Sequence, residues 1–391
     1  MPRIYLDNAA TSWPKPEAVY EACDHFMREI GAPNGRSSYG QAMESNRIIE
    51  RARRGVAELL EAPARSHVAF GFNCTDVLNM GIRGIVRPGD HIVTTVCDHN
   101  SVLRPVRDLE ENADCKVSYV PCDGQGFISP DDVRSAIRPD TRLVVINHAS
   151  NVTGAIQPIE EISRRVRETD AIYFVDAAQS LGHVPISLRT LDCDLLAAPG
   201  HKGLLGPQGT GVLYMAPGID KQLRPFRCGG TGTQSEADRQ PDFLPDKYEP
   251  GNHNLPGLAG LAAATAFLRD ETIEAVHAHH TMLVERLLAA LREIDVVRIH
   301  GPQTSANRTS VVGITVEGYE PQELGAALDS AYQIQCRAGL QCAPRMHEAL
   351  GTAPTGGTLR LSPGYSTTIE EIDTVITALQ EVAAATSAFR Q

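Results

Sequence analysis

Short apolar, β-branched runs alternate with longer stretches of helical periodicity through the first half of this chain, and that alternation leaves few folds open. His67–Gly71, His91–Val96, Lys116–Val120, Arg142–His148, Ala171–Asp176, Asp194–Ala198 and Gly209–Tyr214 read as buried strands. Glu44–Leu60, Ser129–Ile137 and Ile159–Glu168 lie among them as helices. The first carries Ile48, Ile49, Ala52, Val56, Leu59 and Leu60 on one face. Strand and helix in alternation argue for an α/β architecture around a mostly parallel sheet.

The pattern changes after about residue 217. Leu223 to Pro256 is rich in Gly, Pro, Gln and Asp and reads as a long functional loop. Leu258–Leu268, Met282–Ile294, Pro321–Ala331 and Ile369–Ala384 read as helices, and Val311–Val316 as a strand. A large domain over residues 18–257 and a small α+β domain over 258–391, joined by the N-terminal segment 1–17, are expected. The 391 residues suffice for two domains.

Composition excludes several classes of function. The net charge is −12, with no long basic block, which argues against nucleic acid or an anionic membrane surface as partner. No run approaches the length of a membrane span. The opening Met1-Pro-Arg-Ile-Tyr-Leu-Asp lacks an apolar signal core, so cytoplasm is the expected location. The nine cysteines are scattered and form no CxxC pair, against a disulfide framework or structural zinc. No metal is expected at the site; His277, His279 and His280 read as a solvated helix face.

Lys202 follows one strand, among glycines and beside His201, and Asp176 ends another. A desolvated strand-end lysine can form a Schiff base, and a strand-end aspartate can pair with a pyridinium nitrogen. Together they suit pyridoxal 5'-phosphate. Thr75 lies in Gly71-Phe-Asn-Cys-Thr-Asp between a strand and a helix, where a hydroxyl and free backbone N–H groups suit a phosphate.

Further motifs occur in order around this pair: Tyr5-Leu-Asp-Asn-Ala-Ala-Thr11, Cys97-Asp-His99-Asn-Ser-Val-Leu-Arg104, Asn147-His-Ala-Ser-Asn151-Val-Thr-Gly154, Asp176-Ala-Ala-Gln179, Gly200-His201-Lys202, Arg337-Ala-Gly-Leu-Gln-Cys342-Ala-Pro and Leu359-Arg360-Leu-Ser. From residue 4 to about 375 the chain resembles the class V, fold-type-I pyridoxal phosphate enzymes. Within them it is similar to the Suf-type cysteine desulfurases and selenocysteine lyases.

The resemblance implies a seven-stranded large domain, a homodimer, and conversion of L-cysteine to L-alanine with a persulfide on Cys342. That sulfur would pass to an acceptor protein, as in iron–sulfur cluster assembly; selenocysteine is a second possible substrate. Lys202 would bond the cofactor and shuttle the Cα proton. Asp176 would hold the ring nitrogen, Gln179 the phenolic oxygen, and His99 would stack on the ring. Thr75, Cys74 and His201 would bind the cofactor, with Asn252 reaching the partner subunit's phosphate. Asn151, Arg360, Arg337 and Asn8 would bind substrate, Arg360 through the two-pronged geometry of guanidinium. Arg337 would also favour the Cys342 thiolate.

Three positions depart from the family pattern: Pro199 replaces a hydroxyl residue, Asn252 a threonine and Gln341 a histidine. Other class V activities (C–S lyase, epimerase, aminotransferase) and a non-catalytic sulfur carrier share most of these residues.

Overall fold

The computed structural model describes residues 3–35, 37–234 and 236–388. A seven-stranded sheet organises the larger part. Its spatial order is Val68–Gly71, Gly211–Met215, Leu195–Pro199, Ile172–Asp176, Thr141–Asn147, His91–Thr95 and Lys116–Val120. Only Gly211–Met215 runs antiparallel to its neighbours; the other six strands share one direction.

The inner strands are largely apolar because both faces are covered, whereas the edge strand Lys116–Val120 is partly exposed. Val144, Ile146, Tyr173, Val175, Leu196 and Ala198 enter one core with the helices Gly40–Leu59 and Leu255–Glu271. Leu143, Val145, Ile172, Phe174, Leu195 and Ala197 enter the opposite core with Cys74–Ile85 and Asn100–Asn112. This is the two-residue alternation of a pleated strand. Strand ends fall within one or two residues of their expected positions.

A four-stranded antiparallel sheet, ordered Arg337–Gly339, Thr358–Leu361, Val312–Val316 and Val297–His300, forms the second unit. Its core draws on the helices Ile273–Leu291, Pro321–Tyr332 and Ile369–Ala388. The N-terminal strand Ile4–Tyr5 pairs in parallel with Ile334–Gln335, and Asp7 bridges to Ser362. The expected boundary at 257/258 falls inside Leu255–Glu271, whose Leu258, Leu261, Ala264 and Leu268 belong to the large-sheet core.

The histidine-rich face is a correction. His280 is only 2% exposed, and its ring lies 5.0 Å from that of the buried His183. Helical phase turns it inward with Val276 and Leu283, beside the apolar residues of its own helix. Among the described residues no helix is long and apolar enough to cross a membrane.

Candidate active site

In a doubly wound sheet the carboxyl ends of the strands form the ligand crevice. Here those ends line a cavity of about 220 Å³ whose walls include Lys202, Asp176, His99, His201, Gln179 and Asn151. Thr75, Cys74, Asn147, Ser101 and Pro199 line it too. Asn147 and Asp176 stand side by side because their strands pair in register at those residues.

Lys202 sits in the turn after Leu195–Pro199. Its Nζ makes no hydrogen bond to a described residue, and burial lowers its proton affinity, opposed by the nearby Asp176. The turn is packed backbone on backbone: a Cβ on Gly203 would lie 2.3 Å from the Leu181 carbonyl oxygen. Glycine there lets the chain after the lysine approach the turn after Gln179.

Asp176 is fully buried. Its Oδ1 accepts the Ala178 N–H at 2.9 Å and lies 3.8 Å from the Cys74 sulfur. Burial raises its pKa, while the Ala178 N–H and Lys202 oppose that rise. Burial and Asp176 together push the Cys74 thiol well above the usual range, so it stays protonated.

His99 caps Asn100–Asn112. Its Nδ1 accepts the Ser101 N–H at 3.0 Å, which places the proton of the neutral ring on Nε2. Burial, Lys202 and Arg360 hold its pKa down to about 4. The Ser101 hydroxyl lies 2.9 Å from His99 Nδ1 and 2.7 Å from Thr75 Oγ1, linking two helix starts. Asn73 caps Cys74–Ile85 by accepting the Asp76 N–H. Gln179 reaches the Ala9 carbonyl at 2.9 Å.

Cys342 does not line the cavity. It is exposed, in a turn where Gln341 and Cys342 both take left-handed backbone angles (φ 42° and 57°). Two bonds tie this turn to the cavity wall: Asn100 N–H to the Cys342 carbonyl at 2.7 Å, and Asn151 Nδ2 to the Gln341 carbonyl at 2.6 Å. Gln341 is buried, donating to the Thr358 carbonyl at 2.8 Å and accepting from His347 Nε2 at 2.8 Å. It therefore anchors the turn from beneath.

Arg360 donates to the Asn151 carbonyl at 3.2 Å and to Asp7 Oδ1 at 2.7 Å. Arg337 pairs with the other oxygen of Asp7 at 3.1 Å. Asn8 spends its amide on backbone, donating to the Tyr5 and Ser362 carbonyls and accepting the Trp13 N–H. Asn252 lies outside the cavity of its own chain, in a shallow pocket with Phe72 and Arg227.

Sequence reasoning missed Ser101, Asn147 and Asn73. The signal for Ser101 and Asn73 was a polar residue at a strand-to-helix junction; for Asn147 it was a polar terminus on an apolar strand.

The profile of the aminotransferase class-V family matches residues 4–375. The chain belongs to the class-V aminotransferases. Among curated class-V relatives it is 33% identical to a probable cysteine desulfurase of Methanothermobacter thermautotrophicus, covering 97% of this chain and 94% of the relative. A probable cysteine desulfurase of Pyrococcus abyssi is 32% identical with the same coverage. Among solved structures, the apo cysteine desulfurase of Thermococcus onnurineus superposes with a TM-score of 0.91 at 30% identity, covering 98% of this chain and 95% of that one. The Escherichia coli cysteine desulfurase CsdA does so at 0.86 and 28%, covering 98% and 95%.

Class-V aminotransferases use pyridoxal 5'-phosphate, and the cavity residues fit it. Lys202 offers an amine without a hydrogen-bond partner, and Asp176 an oxygen-rich buried anion. The His201 Nδ1 and Asn147 Oδ1 atoms are buried with no partner. The start of Cys74–Ile85, with Thr75, offers N–H groups and a hydroxyl for a phosphate.

Proposed function

We propose that this class-V aminotransferase is a cysteine desulfurase that converts L-cysteine to L-alanine and takes the sulfur as a persulfide on Cys342. The observation carrying the reading is the tether of the Cys342 turn to Asn100 and Asn151, beside a cavity holding a half-buried lysine amine with no hydrogen-bond partner among the described residues.

Bound pyridoxal 5'-phosphate supplies an electron sink for the substrate Cα. The chain's residues do the rest. Lys202 holds the cofactor and moves the Cα proton. Asp176 would pair with the ring nitrogen, Gln179 would serve the phenolic oxygen, and His99 would meet the cofactor as a neutral imidazole. Asn151 and Arg360 orient the substrate carboxylate, Asn151 from the cavity wall and Arg360 from behind it. The Cys342 sulfur then bonds the substrate sulfur as the substrate C–S bond breaks; the electron pair stays on carbon, which is protonated and leaves as alanine.

The same reading makes the chain a Suf-type, cytoplasmic homodimer that hands sulfur to an acceptor protein for cluster assembly. The position of Asn252, on a surface pocket beside the 47%-exposed Phe72, supports its reaching a partner subunit.

The test is alanine release from L-cysteine with pyridoxal 5'-phosphate and reductant, wild type against Cys342→Ala. Alanine from wild type and a near-complete loss in the variant is expected. A cofactor-loaded wild type that yields none, or a variant that yields as much, overturns the proposal and turns the assay to selenocysteine and other amino acids.

A further inference from the structure

We propose that Lys15 is a positioning residue for this reaction: from outside the cavity it pins the His201–Lys202 turn and orients the peptide between them. The inference rests on the desulfurase reading, through the role of Lys202.

The His201 carbonyl is surrounded by donors from one short segment. Ser12 N–H lies at 3.0 Å, Ser12 Oγ at 3.1 Å, Thr11 Oγ1 at 3.2 Å and Lys15 Nζ at 2.9 Å. A carbonyl oxygen has two lone pairs, so these donors cannot all bond it fully. Lys15 also reaches Ser12 Oγ at 2.7 Å, and Ser12 Oγ lies 3.0 Å from the Lys202 carbonyl. One assignment respects the two lone pairs and leaves aside the half-buried Thr11 hydroxyl and the Ser12 Oγ contact to that carbonyl. Lys15 and Ser12 N–H bond the His201 carbonyl, Lys15 donates a second proton to Ser12 Oγ, and that hydroxyl donates to the Lys202 carbonyl. The ammonium thereby holds both carbonyls of the turn, one directly and one through Ser12.

Lys15 has no carboxylate within ion-pair distance among the described residues. Burial lowers its proton affinity to about 7. A half-buried cation without a counter-ion is costly if it only fills space. The opposite edge of the same planar peptide carries the Lys202 N–H, which no described residue accepts. A cation fixed on the carbonyl edge polarises that N–H toward an anionic ligand, which the phosphate of the cofactor would supply.

The experiment compares Lys15→Met, Lys15→Arg and Ser12→Ala with wild type. It reads the dissociation constant for pyridoxal 5'-phosphate and the pH midpoint of the visible band acquired on bonding to Lys202. Losing a charge-assisted bond predicts roughly tenfold weaker cofactor binding in Lys15→Met. A displaced band midpoint and recovery of both values in Lys15→Arg are expected alongside. Apoprotein melting is followed in parallel. A lower melting temperature with both cofactor readouts unmoved overturns the positioning role. If Lys15→Met does not fold, Ser12→Ala decides: it keeps the ammonium on the His201 carbonyl and removes the hydroxyl that relays it to the Lys202 carbonyl, so a smaller shift in the same direction is expected, and none overturns the proposal. A wild type that develops no visible band overturns the desulfurase reading and this one with it; a normal wild type with unchanged variants overturns this one alone.

Discussion

Gln341 shows what a single side chain does here. Its amide joins Thr358 and His347, and its backbone carbonyl takes Asn151, so it fixes the cysteine-bearing turn from two sides. Gln341→Ala leaves His347 Nε2 and the Thr358 carbonyl without that partner, a loss of about 1–3 kcal/mol. The variant should bind cofactor as wild type does. Alanine release should fall on the order of tenfold or more, because a misplaced reacting group is costly. Equal rates would assign the turn's position to its tethers to Asn100 and Asn151 alone. At this scale the sequence was legible for residues whose type names their chemistry. Lys202, Asp176, His99 and Gln179 share one cavity as their motifs suggested. It was less legible where the fold itself absorbs a polar group: Asn8 is held by three main-chain partners, and Arg337 by the Asp7 carboxylate. Ser362 and Asp7 lie more than 300 residues from the groups they hold, and partners so distant leave no local signal.

Secondary elements carry the site by their ends. The antiparallel strand Gly211–Met215 contributes no residue to the cavity wall, yet it sets where the helix Cys74–Ile85 begins. A Cβ on Gly211 would stand 2.4 Å from the carbonyl oxygen of Asn73, the residue capping that helix. Gly211→Ala should therefore shift the helix start and cost roughly 1–3 kcal/mol as an overpacked contact. Cofactor affinity should weaken along with the melting temperature; a lower melting temperature with unchanged affinity would separate the strand from the site. The parallel strands were the most readable elements, since burial on both faces writes a continuous apolar run. Asn100–Asn112 was harder to see past its opening motif, because Pro105 breaks the helical pattern although the helix continues through it. The inward turn of His280 was misread because a histidine surrounded by histidines carries no apolar signal.

Across the whole molecule, one buried ion pair joins segments far apart in the chain. Arg53 and Glu249 meet through two bonds of 2.7 and 2.8 Å; Glu249 also accepts the Phe70 N–H and lies 2.9 Å from His253 Nε2. Burial alone would raise the Glu249 pKa; Arg53 and His253 outweigh it and hold it down to about 2. The folded-state pKa lies below the unfolded value near 4.3. Its contribution is thus complete above that value and is lost as pH falls through about 2. Glu249→Gln strands the Arg53 charge and should cost about 3–5 kcal/mol in urea unfolding at neutral pH. The variant should also lose less stability than wild type between pH 5 and pH 2. A parallel loss in both proteins would refute this assignment.

The N-terminal segment ties the two units together. Its strand belongs to the unit that carries Cys342, Asp7 grips Arg337 and Arg360 there, and Thr11 to Lys15 grip the turn that carries Lys202. Cysteine and lysine are therefore hung from one short cord. Any rocking of one unit against the other must be taken up within the few residues between Asp7 and Thr11, or be delivered to the lysine as displacement. The spacing of the two reacting groups is gauged by a stretch of chain that contributes only Ala10 to the cavity wall.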